Sequence, residues 1–283
     1  MPVDLPQTDP YPPVTSSGLH VRDVWLESPT GQRLLHQVSF SLPPSCCLGM
    51  VGESGSGKSL TSQALMNLTG PGFRRGGDVL LEGQSLLTLD NRAMRRLCGS
   101  QLALIPQQPM TAFDPLQRVG NQIAETLRQH VPLSARQARE QAIAAMEQVR
   151  LPHPEQLYRC YPSELSGGML QRVAIALVLA LRPRWLIADE PTSALDEDNR
   201  REVVRLLQDL RAQGCGLLLI SHDFSLLDQM ADRLVVMQQG RSVEYGEYAS
   251  LLHAPRHVCT RQWVASVQAL AGMVAVDKEP YVD

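Results

Sequence analysis

Residues Gly52-Glu53-Ser54-Gly55-Ser56-Gly57-Lys58-Ser59 satisfy every fixed position of the spacing G-x-x-x-x-G-K-[ST], which serves to hold phosphate. Glycines let the backbone turn its N–H groups toward phosphate oxygens, and a helix starting at the loop's end adds positive potential. Lys58 is expected to reach the β- and γ-phosphates of a nucleotide and the Ser59 hydroxyl to bind Mg²⁺, with Leu60 closing the cradle. Composition favours a site over a chance Gly/Ser turn. Of 26 basic residues only Lys58 and Lys278 are lysine, so a compact ammonium stands here in a chain that otherwise uses arginine.

Asp189 and Glu190 end the apolar run Trp185-Leu186-Ile187-Ala188, where two adjacent acids are costly without partners. Mg²⁺ suits Asp189, and an attacking water suits Glu190 as general base or positioner. Gln107, in a proline-flanked loop after a strand, has an amide that could meet the metal or the water. His222 follows another apolar strand and could donate a hydrogen bond to a γ-phosphate. Ser166-Gly167-Gly168, at the start of an apolar helix, form a second anion cradle from a hydroxyl, free N–H groups and a helix dipole. One nucleotide does not need two such cradles in one subunit. The economical reading is a dimer, in which this segment caps ATP bound to the other subunit's loop.

These residues need a frame of strands and helices. Alternating apolar residues over 18–26 and 34–42 predict two strands flanking a Pro-Thr-Gly turn at 29–31. Cys46 to Val51 predicts a buried strand before the loop and 60–68 a helix after it. Short strands are expected at 78–83, 101–105, 185–188, 216–220, 234–237 and 242–244. Four-residue steps of Val119, Ile123, Leu127 and of Ala138, Ala142, Met146 predict two amphipathic helices in an insertion over about 107–165. Further helices are expected at 173–181 and 199–213. Strand–helix alternation implies a mostly parallel sheet with ligands at strand C-terminal ends.

The chain of 283 residues is 43% hydrophobic, enough for a substantial core. A net charge of −3 with no basic block argues against nucleic acid as a partner. Six cysteines (46, 47, 98, 160, 215 and 259) lack C-x-x-C spacing and suggest reduced thiols. Residues 1–17 are proline-rich without Lys or Arg, unlike a targeting peptide, and predict a disordered tail. The longest apolar run, Val173 to Leu181, is too short to cross a membrane.

Taken together, these residues resemble the ATP-binding subunits of ABC transporters from about residue 18 to 262. The signature is Leu165-Ser166-Gly167-Gly168-Met169-Leu170-Gln171, the Walker B segment Leu186 to Glu190 and the D-loop Ser193-Ala194-Leu195-Asp196; Gln107 matches the Q-loop and His222 the switch histidine. The resemblance implies an α/β fold of the P-loop NTPase (RecA-like) type: a mostly parallel sheet core with an antiparallel β subdomain and an inserted α-helical subdomain. It places the ATPase domain at 18–250 and a short C-terminal tail at 251–283. Pro109 to Pro115, Tyr161-Pro162-Ser163-Glu164 and the stretch 255–260 resemble the dipeptide, oligopeptide and nickel importer branch. The short tail and Gly-Gly-Met-Leu-Gln-Arg look most like nickel import ATPases of the D type. That likeness implies two membrane permeases, a periplasmic or extracellular substrate-binding protein, and a second ATPase, more readily a different chain than a copy. It also implies a peripheral place on the cytoplasmic face of the inner membrane. Peptide import, or a soluble role on DNA or ribosomes, are the alternatives. The family usually stacks adenine on an aromatic where this chain has Ser28, and Trp25 stands three residues early. His253-x-x-x-His257-x-Cys259 has ligand-like spacing, but cargo is handled by other subunits of such importers.

Overall fold

Two residue rhythms divide the molecule. Strands β1 (Leu19–Glu27) and β2 (Arg33–Leu42) carry inward-facing side chains such as Val21, Val24, Leu26, Val38 and Phe40, all buried. The later strands over Trp185–Asp189 and Gly216–Ile220 are buried along their whole length, as expected where helices or other layers cover both sheet faces. The computed structural model describes residues 17–276, with side chains to Ala269, so apart from Ser17 the expected disordered tail lies outside the described residues.

The element order after β2 is β3 (Cys47–Gly52), α1 (Lys58–Leu65), β4 (Arg74–Leu81), β5 (Gln84–Ser85), α2 (Asn91–Leu97) and β6 (Leu102–Ile105). Then come α3 (Val119–His130), α4 (Ala135–Gln148), α5 (Pro154–Leu157), α6 (Gly167–Leu181), β7 (Trp185–Asp189), α7 (Glu197–Ala212) and β8 (Gly216–Ile220). The chain continues through α8 (Phe224–Met230), β9 (Arg233–Gln238), β10 (Arg241–Glu247), α9 (Tyr248–His253) and α10 (Val258–Val276). The strands form one sheet in the order β5-β4-β1-β2-β10-β9-β3-β8-β7-β6. From β9 to β6 every pairing is parallel; β5, β4, β1 and β2 pair antiparallel. The halves meet where β10 pairs with β2 at one register position, Arg241 with Gln37.

Parallel strands β3, β8 and β7 put their C-terminal ends on one edge, which collects the loop after β3, the acids after β7 and the histidine after β8. One face of this parallel core packs Val51, Ala103, Ile105, Leu186, Ala188, Leu217 and Leu219 against α3, α4 and α6–α8. The other packs Leu48, Met50, Ile187, Leu218 and Val235 against Leu65 of α1 and the apolar face of β1 and β2.

Several boundaries differ from expectation, among them the strand expected at 78–83, which runs Arg74–Leu81. The first helix runs 58–65, not 60–68, because its start is fixed by the loop and Asn67 takes φ 56°, which no continuing helix tolerates. The signature helix takes in six residues ahead of the apolar stretch 173–181 and begins at Gly167, the helix start expected for Ser166-Gly167-Gly168, because Ser166 caps it by accepting from Met169 N at 3.2 Å. The region expected as a short tail is helical over α9 and α10, and both Glu244 carboxylate oxygens accept from it, from the N–H groups of Arg256 and His257 at 2.9 Å each.

Helices α3 and α4 bury Val119, Ile123, Leu127, Ala138, Ala142 and Met146, the stripes set by their four-residue spacing. The packing leaves no room at Gly120, where an added Cβ would stand 2.2 Å from ring carbons of Tyr158. Gly120→Ala is therefore expected to lower stability by about 1–3 kcal/mol, read as a shifted urea midpoint. Thiol chemistry gives a second test. Burial raises Cys46 and Cys215 to about 12, and the more deeply buried Cys47 rises further. At pH 8 their thiolate fraction is ~1000-fold below that of an ordinary thiol, so alkylation of the native protein should reach Cys160 and Cys259 first, checked by mass spectrometry.

Candidate nucleotide site at the strand ends

The loop between β3 and α1 is shaped by backbone freedom at its glycines. Gly57 sits at φ 103° at the helix start, and a Cβ on Gly52 would lie 2.2 Å from Met237 O. Side chains are excluded there, and the loop lies against β9. Glu53, Ser54 and Gly55 are exposed, while Ser56 is buried with its hydroxyl unpartnered. Gly240 N donates to Ser56 O at 2.9 Å, tying the loop to the β9–β10 turn.

Lys58 is 7% exposed, and its ammonium donates to Gly52 O at 2.8 Å and Glu53 O at 2.9 Å. An ammonium has three protons, so one remains for a ligand seated in the loop. Burial lowers the Lys58 pKa, and the negative charges of Glu190 and Asp189 work against that. Ser59 and Leu60 are half-buried at the start of α1.

Asp189 is held up in pKa by burial, opposed by a hydrogen bond from Ser59 and by the charge of Lys58. Its Oδ1 is buried and has no hydrogen-bond partner. A buried carboxylate oxygen left open beside a serine hydroxyl is a hard-oxygen donor set that fits Mg²⁺. Gln107 is exposed and lines the same 810 Å³ cavity as Ser59 and Asp189.

Glu190 follows Asp189 with φ 49°, a left-handed conformation unusual for a glutamate. Its Oε1 accepts from His222 N at 3.0 Å, and the His222 ring Nε2 is 3.6 Å from the same oxygen. Burial raises the Glu190 pKa first, and Asp189 adds to the rise; the His222 N–H and Lys58 pull the other way. The His222 side chain is 58% exposed, and burial of its remainder with the charge of Lys58 lowers its pKa.

The structure thus gathers Lys58, Ser59, Asp189, Glu190 and His222 at one sheet edge, with Gln107 across the cavity. Ser166 and Gly167 are exposed elsewhere, at the start of α6; among the described residues no hydrogen bond joins them to the loop. Gly168 packs on the 190s turn, where an added Cβ would lie 2.9 Å from Ala194 O. Ser28 accepts from Gln32 N and Trp25 stacks under Arg33 at 4.0 Å, so neither offers a free ring at this site. His257 Nδ1 accepts from Cys259 N at 3.2 Å, and among the described residues no three His, Cys, Asp or Glu side chains are grouped to hold a metal. Sequence reasoning passed over the buried amide of Gln171, which donates to Pro191 O at 3.3 Å. Its signal was present: a glutamine leading into an apolar helix.

Comparison with known proteins follows the same lines. Residues 35–193 match the family described as ABC transporter. The chain is 38% identical over 249 residues to the metal-staphylopine import system ATP-binding protein CntD of Staphylococcus aureus, covering 88% of this chain and 90% of that protein. It is 41% identical to the oligopeptide transport ATP-binding protein OppD of Bacillus subtilis, covering 82% and 66% of the two. It is 42% identical to the probable D,D-dipeptide transport ATP-binding protein DdpD of Escherichia coli, covering 80% and 70%. Among solved structures, a dimeric ATP-binding cassette in a post-hydrolysis state bound to ADP and Pi superposes with a TM-score of 0.73 at 23% identity, over 81% of this chain and 98% of that one, and speaks to the fold.

Proposed function

The chain belongs to the ABC transporter family of ATPases, and from that premise we propose that it powers an importer for nickel or another metal chelate. The observation that carries the motor reading is the convergence of Lys58, Asp189, Glu190 and His222 around the 52–59 loop. The metal-chelate reading draws on the 38% identity with the metal-staphylopine protein over 90% of its length.

In this mechanism the N–H groups of Gly52 to Leu60 and the Lys58 ammonium hold the triphosphate. Ser59, Gln107 and Asp189 would hold Mg²⁺, which when bound neutralises charge on the phosphates. Glu190 takes a proton from the attacking water as its oxygen bonds to the γ-phosphorus and the bond to the ADP oxygen breaks. The imidazole of His222 donates to a γ-phosphate oxygen. Ser166, Gly167 and Gly168 cap the nucleotide of a second ATPase, a different chain or a copy, so binding closes the dimer and hydrolysis reopens it.

The ATPase domain is taken as 18–250 with the helical insertion at about 107–165. That insertion and the Gln107 loop carry movement to two permease subunits fed by a substrate-binding protein. No described helix is long and apolar enough to cross a membrane, and we assign the subunit a peripheral place on the cytoplasmic face. A second reading, import of short peptides, is favoured by the 41% and 42% identities to peptide-transport proteins. The test is reconstitution with the permeases: nickel- or chelate-loaded binding protein should stimulate ATP hydrolysis and peptide-loaded protein should not. The reverse result moves the assignment to peptides.

A further inference from the structure

Glu190 occupies a left-handed backbone conformation that residues other than glycine adopt only under strain, so surrounding bonds must fix it. Some of these bonds come from the sheet and from the turn itself. Glu190 N donates to Ile220 O at 2.9 Å, and Ser193 N and Oγ both reach Glu190 O, at 3.3 and 3.1 Å. The next carbonyl, Pro191 O, is held from outside the turn, by the side-chain amide of Gln171.

Gln171 is 1% exposed, on a helix where Leu170, Val173, Ala174 and Ile175 are buried apolar residues. A buried amide there is costly unless it is bonded, and an apolar side chain would fill the space as well. Helix α6 approaches the turn closely, since Gly168 leaves its face bare against Ala194 O. The neighbouring Arg172 holds the turn's far end: its Nη1 donates to Asn199 Oδ1 at 2.8 Å, and Asn199 donates to Asp196 Oδ2 at 2.6 Å.

We propose that Gln171 is a positioning residue for Glu190, fixing through Pro191 O the turn that aims the carboxylate at its water. The inference rests on the ATPase reading above and extends it to a residue that touches no nucleotide. Because α6 also begins with the Ser166 cap, movement of that cap against a second subunit's nucleotide is passed by Gln171 to the carboxylate of its own site.

The test compares wild type with Gln171→Met in the whole 283-residue chain; methionine keeps the side chain's length and loses the amide donor. At 3.3 Å the bond is long, so its removal should lower kcat by only about 5- to 10-fold, with KM for ATP and Tm little changed. In a Glu190→Gln background, Gln171→Met should cause no further loss in single-turnover hydrolysis, because the group it positions is gone. An unchanged kcat, losses that add in the double variant, or a joint fall of Tm, nucleotide affinity and rate would each overturn the proposal. Wild-type protein without ATPase activity would instead defeat the underlying motor reading.

Discussion

Lys58→Ala should weaken Mg·ATP binding by about 100- to 4000-fold and abolish transport. The ammonium is seated between two loop carbonyls, 7% exposed, with Asp189 and Glu190 close enough to bias its charge. Removing it leaves two acids facing a polyanion with no fixed cation, and breaking a buried charge pairing of this kind costs about 3–5 kcal/mol. At 1.4 kcal/mol per decade, that gives the stated loss. Lys58→Arg should fail almost as badly, because a planar guanidinium does not fit the point-charge seat between Gly52 O and Glu53 O. Titration with a fluorescent ATP analogue checks both variants. An affinity within threefold of wild type would remove Lys58 from the phosphate site.

Glu190→Gln should bind ATP normally and turn over about 100- to 10,000-fold more slowly, accumulating an ATP-bound dimer visible by size-exclusion chromatography. Glutamine keeps the side chain's shape and can still accept from His222 N, so the loss isolates the carboxylate's basicity. The pH profile gives an independent reading. Burial and the charge of Asp189 raise the Glu190 pKa, and a base works only when ionised. In wild type kcat should fall as pH drops through a pKa above the ordinary glutamate value, and this acid limb should vanish in Glu190→Gln. Near-normal hydrolysis in the variant, or an acid limb that survives in it, would reassign the base.

The frame was legible wherever one physical signal dominated. Glycine spacing and a lone lysine marked the loop, and apolar runs ending in Asp189-Glu190 or Ser221-His222 marked the strand ends. Alternation over 19–42 gave β1 and β2 to within a residue or two. Short helix α2 was passed over because only Met94 in it is buried, and α8 because its seven residues are too few to show a period. The helices of the C-terminal tail were not foreseen because their anchor, Glu244 on β10, precedes them and acts through backbone N–H groups that no side-chain pattern reports. Gln171 escaped for a related reason: its partner is a carbonyl twenty positions away, brought near by tertiary packing.

The seam between the two halves of the sheet carries one last implication. Only one ladder position pairs β10 with β2, so the seam combines an apolar cluster that includes Phe40, Leu42, Met50 and Leu218 with bonds outside the ladder. Ser39 N donates to Ser242 Oγ at 2.9 Å, Tyr245 Oη to Ser41 O at 2.8 Å and His36 N to Gly240 O at 2.8 Å. The apolar share of that adhesion is largely entropic near room temperature and slackens in the cold. Chilling should therefore shift the burden of holding the two sheets together onto these few bonds.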